Sequence, residues 1–156
     1  HAFCCLGTTL RKAGSPEAFR ASEIRMVLDF ARVAKACGAE RFVVVSSAGA
    51  DAGSKNLYLS VKGEIEAALV AVGFASLDIL QPGLLLGPRT ESRPAEAVMR
   101  LLAPVLNPLL VGKWAVYRGM RVEELATAML AVARTAKRGV NRYSGDALVA
   151  MARRAR

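Results

Sequence analysis

The sequence predicts an α/β chain in which short parallel strands alternate with helices, and three observations carry that reading. Apolar runs of strand length at Ala2 to Leu6, Arg41 to Val45 and Leu77 to Leu80 are separated by two stretches with helical apolar spacing. Both stretches open or close on residues suited to helix ends. The middle run is apolar at successive positions, as in a strand buried on both faces. Strand, helix, strand, helix, strand in this order is the pattern of crossover connections in a parallel sheet.

The first run ends at Gly7-Thr8-Thr9, consistent with a strand entering a loop. Ser15 is a good N-cap, Pro16 suits the first helical position and Glu17 complements the helix dipole. Ile24, Val27, Leu28, Ala31 and Ala34 then repeat at helical spacing until Gly38. A second helix is expected from Leu57 to Val72, with Val61, Ile65, Ala68, Leu69 and Val72 inward and Gly73 closing it. Gln81-Pro82-Gly83 ends the third strand, and Leu84 to Pro94 reads as a long loop. Helices are expected over Ala95 to Leu106 and over Val122 to Ala136, the latter with Val122, Leu125, Met129, Val132 and Ala136 inward. A last strand, Val140 to Tyr143, precedes a final helix over Asp146 to Arg153.

Composition bounds the function. The 156 residues are 53% apolar and 22% charged, with mean hydropathy +0.29, which fits one globular domain and argues against disorder. The apolar stretches Ala67 to Leu80 and Leu101 to Val111 are shorter than a bilayer span and interrupted by Gly73 and Asp78, and by Pro104, Asn107 and Pro108, so no membrane partner is expected. The chain opens on His1 with no signal-peptide pattern, so His1 reads as a tag scar, a processed end or the edge of a fragment. Three cysteines, two of them adjacent in a strand, fit a reduced cytoplasmic compartment. A lone histidine at the chain terminus leaves no Ser/His/Asp or Cys/His nucleophile and no zinc site of ordinary spacing, and the metal expectation is none. The net charge of +9 raises an anionic ligand or nucleic acid as a partner. The basic residues are scattered, however, with clusters at Arg11-Lys12 and Arg153-Arg154-Arg156, and a solvated face is favoured over nucleic acid.

Tyr58 and Lys62 stand four apart on the second expected helix, on one face. Just before them a strand ends in Ser46-Ser47-Ala48-Gly49. A nearby ammonium favours a phenolate, and a serine hydroxyl can orient a carbonyl, so these residues can build a proton-transfer site. With three tyrosines and six lysines, about 0.1 such Tyr-x-x-x-Lys matches arise by chance, so the setting carries most of the weight.

That setting resembles the short-chain dehydrogenase/reductase superfamily, specifically its atypical branch of Tat-interacting-protein-like, NAD(P)-binding oxidoreductases. The strings that carry the resemblance are Cys4-Cys5-Leu6-Gly7-Thr8-Thr9, Lys12-Ala13-Gly14, Val44-Val45-Ser46-Ser47-Ala48-Gly49, Tyr58-Leu59-Ser60-Val61-Lys62-Gly63-Glu64 and Gln81-Pro82-Gly83-Leu84. It is close from residue 1 to about 95 and only a pattern beyond. The resemblance implies a Rossmann-like fold with NADP or NAD across the carboxyl ends of the strands, and a small carbonyl substrate. It implies Tyr58 as general acid/base, Lys62 holding the nicotinamide ribose and tuning Tyr58, and Ser47 positioning the substrate oxygen, with Ser46 as the fallback one residue away. Leu6, Gly7, Thr8, Thr9 and Ser46 would approach the cofactor from the strand ends, and Pro82, Gly83 and Leu84 would pass beside the nicotinamide. Gly63, costly inside a helix, then makes sense as a close backbone approach.

The Gly-rich turn that a dinucleotide-binding fold uses for the pyrophosphate is missing from the sequence. The expectation is therefore the C-terminal part of one Rossmann-like NAD(P)-binding domain over residues 1–156, from the fourth strand onward and truncated at its N-terminus, with Ala2 to Leu6 as an apolar edge inclined to associate. A cofactor-sensing or protein-interaction module on the same fold is the alternative function, with a protein partner or homo-oligomer left open. The bland readings are a Tyr58 that snorkels, a Lys62–Glu66 pair at i,i+4, an ordinary turn at Ser46-Ser47 and core or interface roles for Trp114 and Tyr117.

Overall fold

Four parallel strands in the order β1-β2-β3-β6 form the main sheet of the computed structural model, which describes residues 1–86, 119–135 and 137–154. The elements are β1 (Ala2–Cys4), α1 (Leu10–Ala13), α2 (Pro16–Ala36), β2 (Arg41–Val45), α3 (Leu57–Val72), β3 (Ser76–Gln81), β4 (Leu85–Leu86), β5 (Met120–Arg121), α4 (Val122–Ala133), β6 (Gly139–Ser144) and α5 (Gly145–Arg154). Ala2 pairs with Phe42, Arg41 with Ser76, and Ser76 with Gly139, so the strands start level and their carboxyl ends lie along one edge. The expected helix from Ala95 to Leu106, the loop around Arg89 to Arg93, Trp114 and Tyr117 lie outside the described residues.

Period-two alternation divides each central strand between two cores. Phe42, Val44, Leu77 and Ile79 pack with Val27, Ala31, Val61 and Leu69 of α2 and α3. Val43 and Leu80 turn the other way, onto Leu125, Ala128 and Met129 of α4 and Leu148 of α5. Phe42, Leu69, Leu77, Ile79 and Leu80 are fully buried, each contributing about 1.5–3 kcal/mol by area removed from water. With both faces covered, β2 has the continuous apolar sequence of a central parallel strand.

The helix ends follow from local chemistry. Ser15 Oγ accepts the Ala18 amide at 3.1 Å at the start of α2, and Asn56 Oδ1 accepts the Leu59 amide at 3.2 Å at the start of α3. Gly73 closes α3 at φ 75°, a left-handed conformation that costs a glycine nothing. Sequence and structure differ at several ends. A four-residue helix, α1, capped by Thr9, stands where a loop was expected. Leu85–Leu86 pairs with Met120–Arg121 inside the expected long loop. Helix α4 stops at Ala133, and Val122, expected inward, is exposed in its first turn.

Arg41 and Asp78 tie the sheet to α4. The Arg41 guanidinium donates to the Val132 carbonyl in the last turn of α4 at 2.6 Å, where a cation complements the helix dipole, and to the Lys137 carbonyl beyond it at 2.9 Å. The same group lies 3.3 Å from Asp78, which is fully buried and also accepts from Ser76 Oγ and Asn141 Nδ2, each at 3.0 Å.

Candidate functional site

A cavity of about 750 Å³ opens at the carboxyl ends of β2 and β3. Thr8 and Thr9 line it from the loop after β1, Ser46 and Ser47 from the end of β2, and Pro82, Gly83 and Leu84 from the end of β3. Asn56, Leu57 and Tyr58 enter from the start of α3, and Leu10, Arg11, Phe19 and Leu85 complete the wall. The loops after β2 and β3 are joined beyond the strands, because the Ser46 amide donates to the Leu80 carbonyl at 2.7 Å and the Ala48 amide to the Pro82 carbonyl at 2.9 Å. Ser47 is therefore held by the continuing sheet.

The two serines differ. Ser46 Oγ is buried and donates to Glu66 Oε1 at 2.6 Å, and Glu66 also accepts from Gln81 Nε2 at 2.8 Å and pairs with Arg142 at 3.1 Å. Ser47 Oγ makes one long contact, 3.4 Å, with the Ala48 carbonyl. Of the pair, Ser47 has the hydroxyl free for a ligand.

Tyr58 is 43% exposed, its ring 6.5 Å from that of Phe19. Lys62, one turn on, is buried with Nζ 5.7 Å from the Tyr58 ring centroid. Its partner is not Glu66, as the i,i+4 reading had it, because Glu66 is turned toward Ser46 and Gln81. Lys62 Nζ lies instead 3.3 Å from Glu23 Oε2 on α2, and Glu23 Oε1 accepts the Thr8 amide at 2.6 Å. Glu23 escaped the sequence reading although it carried a signal: it stands in phase with Phe19, Val27 and Ala31, and a carboxylate on an apolar stripe demands a cation or donor.

The expected cofactor-binding residues divide accordingly. Thr8, Thr9, Ser46, Pro82, Gly83 and Leu84 line the cavity beside Ser47 and Tyr58. Leu6 is exposed outside it, Lys62 lies beneath Tyr58, and Gly7 faces Glu23, where an added Cβ would sit 3.3 Å from Oε1. Gly63 is a close backbone approach to the chain's own loop. A Cβ there would lie 2.2 Å from the Ala52 amide nitrogen and 2.7 Å from Asp51 Cα, so α3 touches the Ser46–Ser54 loop backbone to backbone.

Among the described residues no group of three or more His, Cys, Asp or Glu side chains could hold a metal, and no helix is long and apolar enough to cross a membrane. Cys4, Cys5 and Cys37 are free thiols.

A crevice at the carboxyl ends of a parallel α/β sheet is the ligand site of this class of protein. The chain is similar to protein HTATIP2 of Rattus norvegicus, 49% identical over 98 residues that cover 63% of this chain and 40% of the relative. It is similar to protein fmp52, mitochondrial, of Emericella nidulans, 40% identical over 129 residues that cover 74% and 55%. Protein FMP52-1, mitochondrial, of Scheffersomyces stipitis is 44% identical over 91 residues, covering 58% and 40%. The matched region thus spans about half, or less, of these relatives' length. No family model matches the chain.

Proposed function

We propose that this chain carries the proton-transfer half of an NAD(P)-dependent oxidoreductase of the atypical short-chain dehydrogenase type, acting on a small carbonyl compound. The observation behind the reading is that Tyr58 and Ser47, from different elements, line one cavity at the carboxyl edge of the sheet, with the Lys62 ammonium buried beneath the Tyr58 ring. The resemblance to that branch and the HTATIP2 and FMP52 relatives support it.

The cavity suits the nicotinamide end of such a cofactor. Thr8 and Thr9 offer hydroxyls, Gly83 allows close approach, and Pro82 and Leu84 offer apolar surface. The pyrophosphate end would need a Gly-rich turn that this sequence does not contain. The bound cofactor supplies the hydride. Ser47 Oγ donates to the carbonyl oxygen and orients it, and Tyr58 OH delivers the proton that completes the alcohol. The Lys62 ammonium lies beneath the ring that then carries the negative charge. Phe19, Leu57 and Leu85 keep water from the reacting carbon.

Free thiols suit a reducing compartment such as the cytoplasm, while the fungal relatives are named as mitochondrial. The test is Tyr58→Phe in a catalytically active form carrying this sequence. Turnover falls by about 10²-fold or more while cofactor affinity holds within a few-fold. Equal turnover of variant and wild type would replace the enzyme by a cofactor-sensing or protein-binding module.

A further inference from the structure

Glu23 is only 1% exposed, in a stripe that elsewhere takes Phe19, Val27 and Ala31. A leucine or methionine there would pack without taking a charge out of water, and a buried ion pair is a poor source of stability. What the carboxylate does is divide its oxygens. Oε1 holds the Thr8 amide of a cavity-lining loop at 2.6 Å, and Oε2 holds the Lys62 ammonium at 3.3 Å. Thr8 and Tyr58 are both cavity walls, and Lys62 lies under the Tyr58 ring. One side chain of α2 thus reaches both sides of the site, and Gly7 leaves it room.

We propose that Glu23 is a positioning residue of the Tyr58 site: its carboxylate fixes Lys62 beneath Tyr58 and Thr8 at the cavity wall. The inference deepens the oxidoreductase reading and takes its meaning from it. The other titratable groups about the pair are Cys4 of β1, Tyr58 itself, Arg20 of α2, which pairs with Glu64 at 2.6 Å, and Glu66, engaged with Ser46. None of them holds Lys62. Glu23 is therefore the negative charge that offsets the ammonium.

The experiment follows the Lys62 ammonium and the Thr8 amide directly, by NMR, in the 156-residue chain without cofactor. Glu23→Gln is expected to lose the slowly exchanging Lys62 ammonium signal of the wild-type chain, while Glu23→Asp, which keeps the charge, retains it. The Thr8 amide remains protected from exchange in Glu23→Gln, whose side-chain oxygen still accepts. A folded Glu23→Gln chain whose Lys62 ammonium signal is unchanged overturns the proposal. Should Glu23→Gln not fold, the wild-type chain decides: a slowly exchanging Lys62 ammonium signal and a protected Thr8 amide support the proposal, and loss of either overturns it. Since no turnover is read, a failure here is distinct from a failure of the Tyr58→Phe test.

Discussion

Ser46 gives its hydroxyl to Glu66 at 2.6 Å, whereas Ser47, one residue on, keeps its own for the cavity. The two serines should part company on substitution. Ser46→Ala removes one of the two donors to buried Glu66 Oε1, leaving Gln81 as the other, and is expected to cost about 1–3 kcal/mol in urea unfolding. Ser47→Ala is expected to stay within about 0.5 kcal/mol of wild type but to lower turnover of any active form. A large stability loss at Ser47 with none at Ser46 would reverse the assignment.

Arg41→Met leaves Asp78 fully buried without its cation and removes the guanidinium from the Val132 and Lys137 carbonyls. The expected loss is about 3–5 kcal/mol, read from thermal or urea unfolding. Adding Asp78→Asn to that variant should recover part of it, since the orphaned charge is then gone.

Alkaline pH provides a separate check. Burial pushes the Cys4 thiol up, and burial followed by the Asp78 carboxylate pushes the Tyr143 phenol up. Both groups keep their protons to higher pH in the folded chain than in the unfolded one. Over that interval the folded state binds more protons, so stability falls as pH rises. The contribution is whole below the unfolded values, about 8.5 for the thiol and about 10 for the phenol, and drains away above them. Urea midpoints should decline from about pH 8 to about pH 11, less steeply in Cys4→Ala at the lower end and in Tyr143→Phe at the upper. A midpoint rising across this range would contradict the burial argument.

The 156-residue chain is expected to bind NADPH weakly, with Kd above about 1 mM, or about 4 kcal/mol at most. Its cavity offers contacts to the nicotinamide end, and its sequence holds no Gly-rich turn for the pyrophosphate. Calorimetric or fluorescence titration decides, with sedimentation of the same sample to follow association through β1, whose Phe3 is 40% exposed at the sheet edge. Micromolar binding by a monomer would mean that another part of the chain receives the phosphates.

What was legible in the sequence was whatever local chemistry decides. The bounds of β2 and α3, the Ser15 cap and the Gly73 stop follow from side chains within a few residues of each other. The wall of the cavity was legible as well, because residues following the strands of a parallel sheet collect at one edge. The partner of Lys62 was not. Glu66 is its neighbour along the helix, but Glu23 reaches it across the α2–α3 contact, and spacing within one helix carries no information about the next. Helix α1 escaped because four residues display no period, and Val122 was misplaced because a first-turn residue can match the apolar spacing while facing solvent.

At Gly63 the helix that carries Tyr58 and the loop that carries Ser47 meet with only a hydrogen atom between their backbones. The spacing of the two hydroxyl-bearing side chains is thereby gauged by main chain, which neither swings nor repacks as side chains do. Anything that enters the cavity meets a serine-to-tyrosine gap set between two backbones already in contact. Choice among ligands then falls to other parts of the wall, where Arg11 and Leu85 can be exchanged without disturbing that gap. A methyl group at position 63 would act in the opposite way, wedging the loop off the helix and altering the gap for every ligand at once.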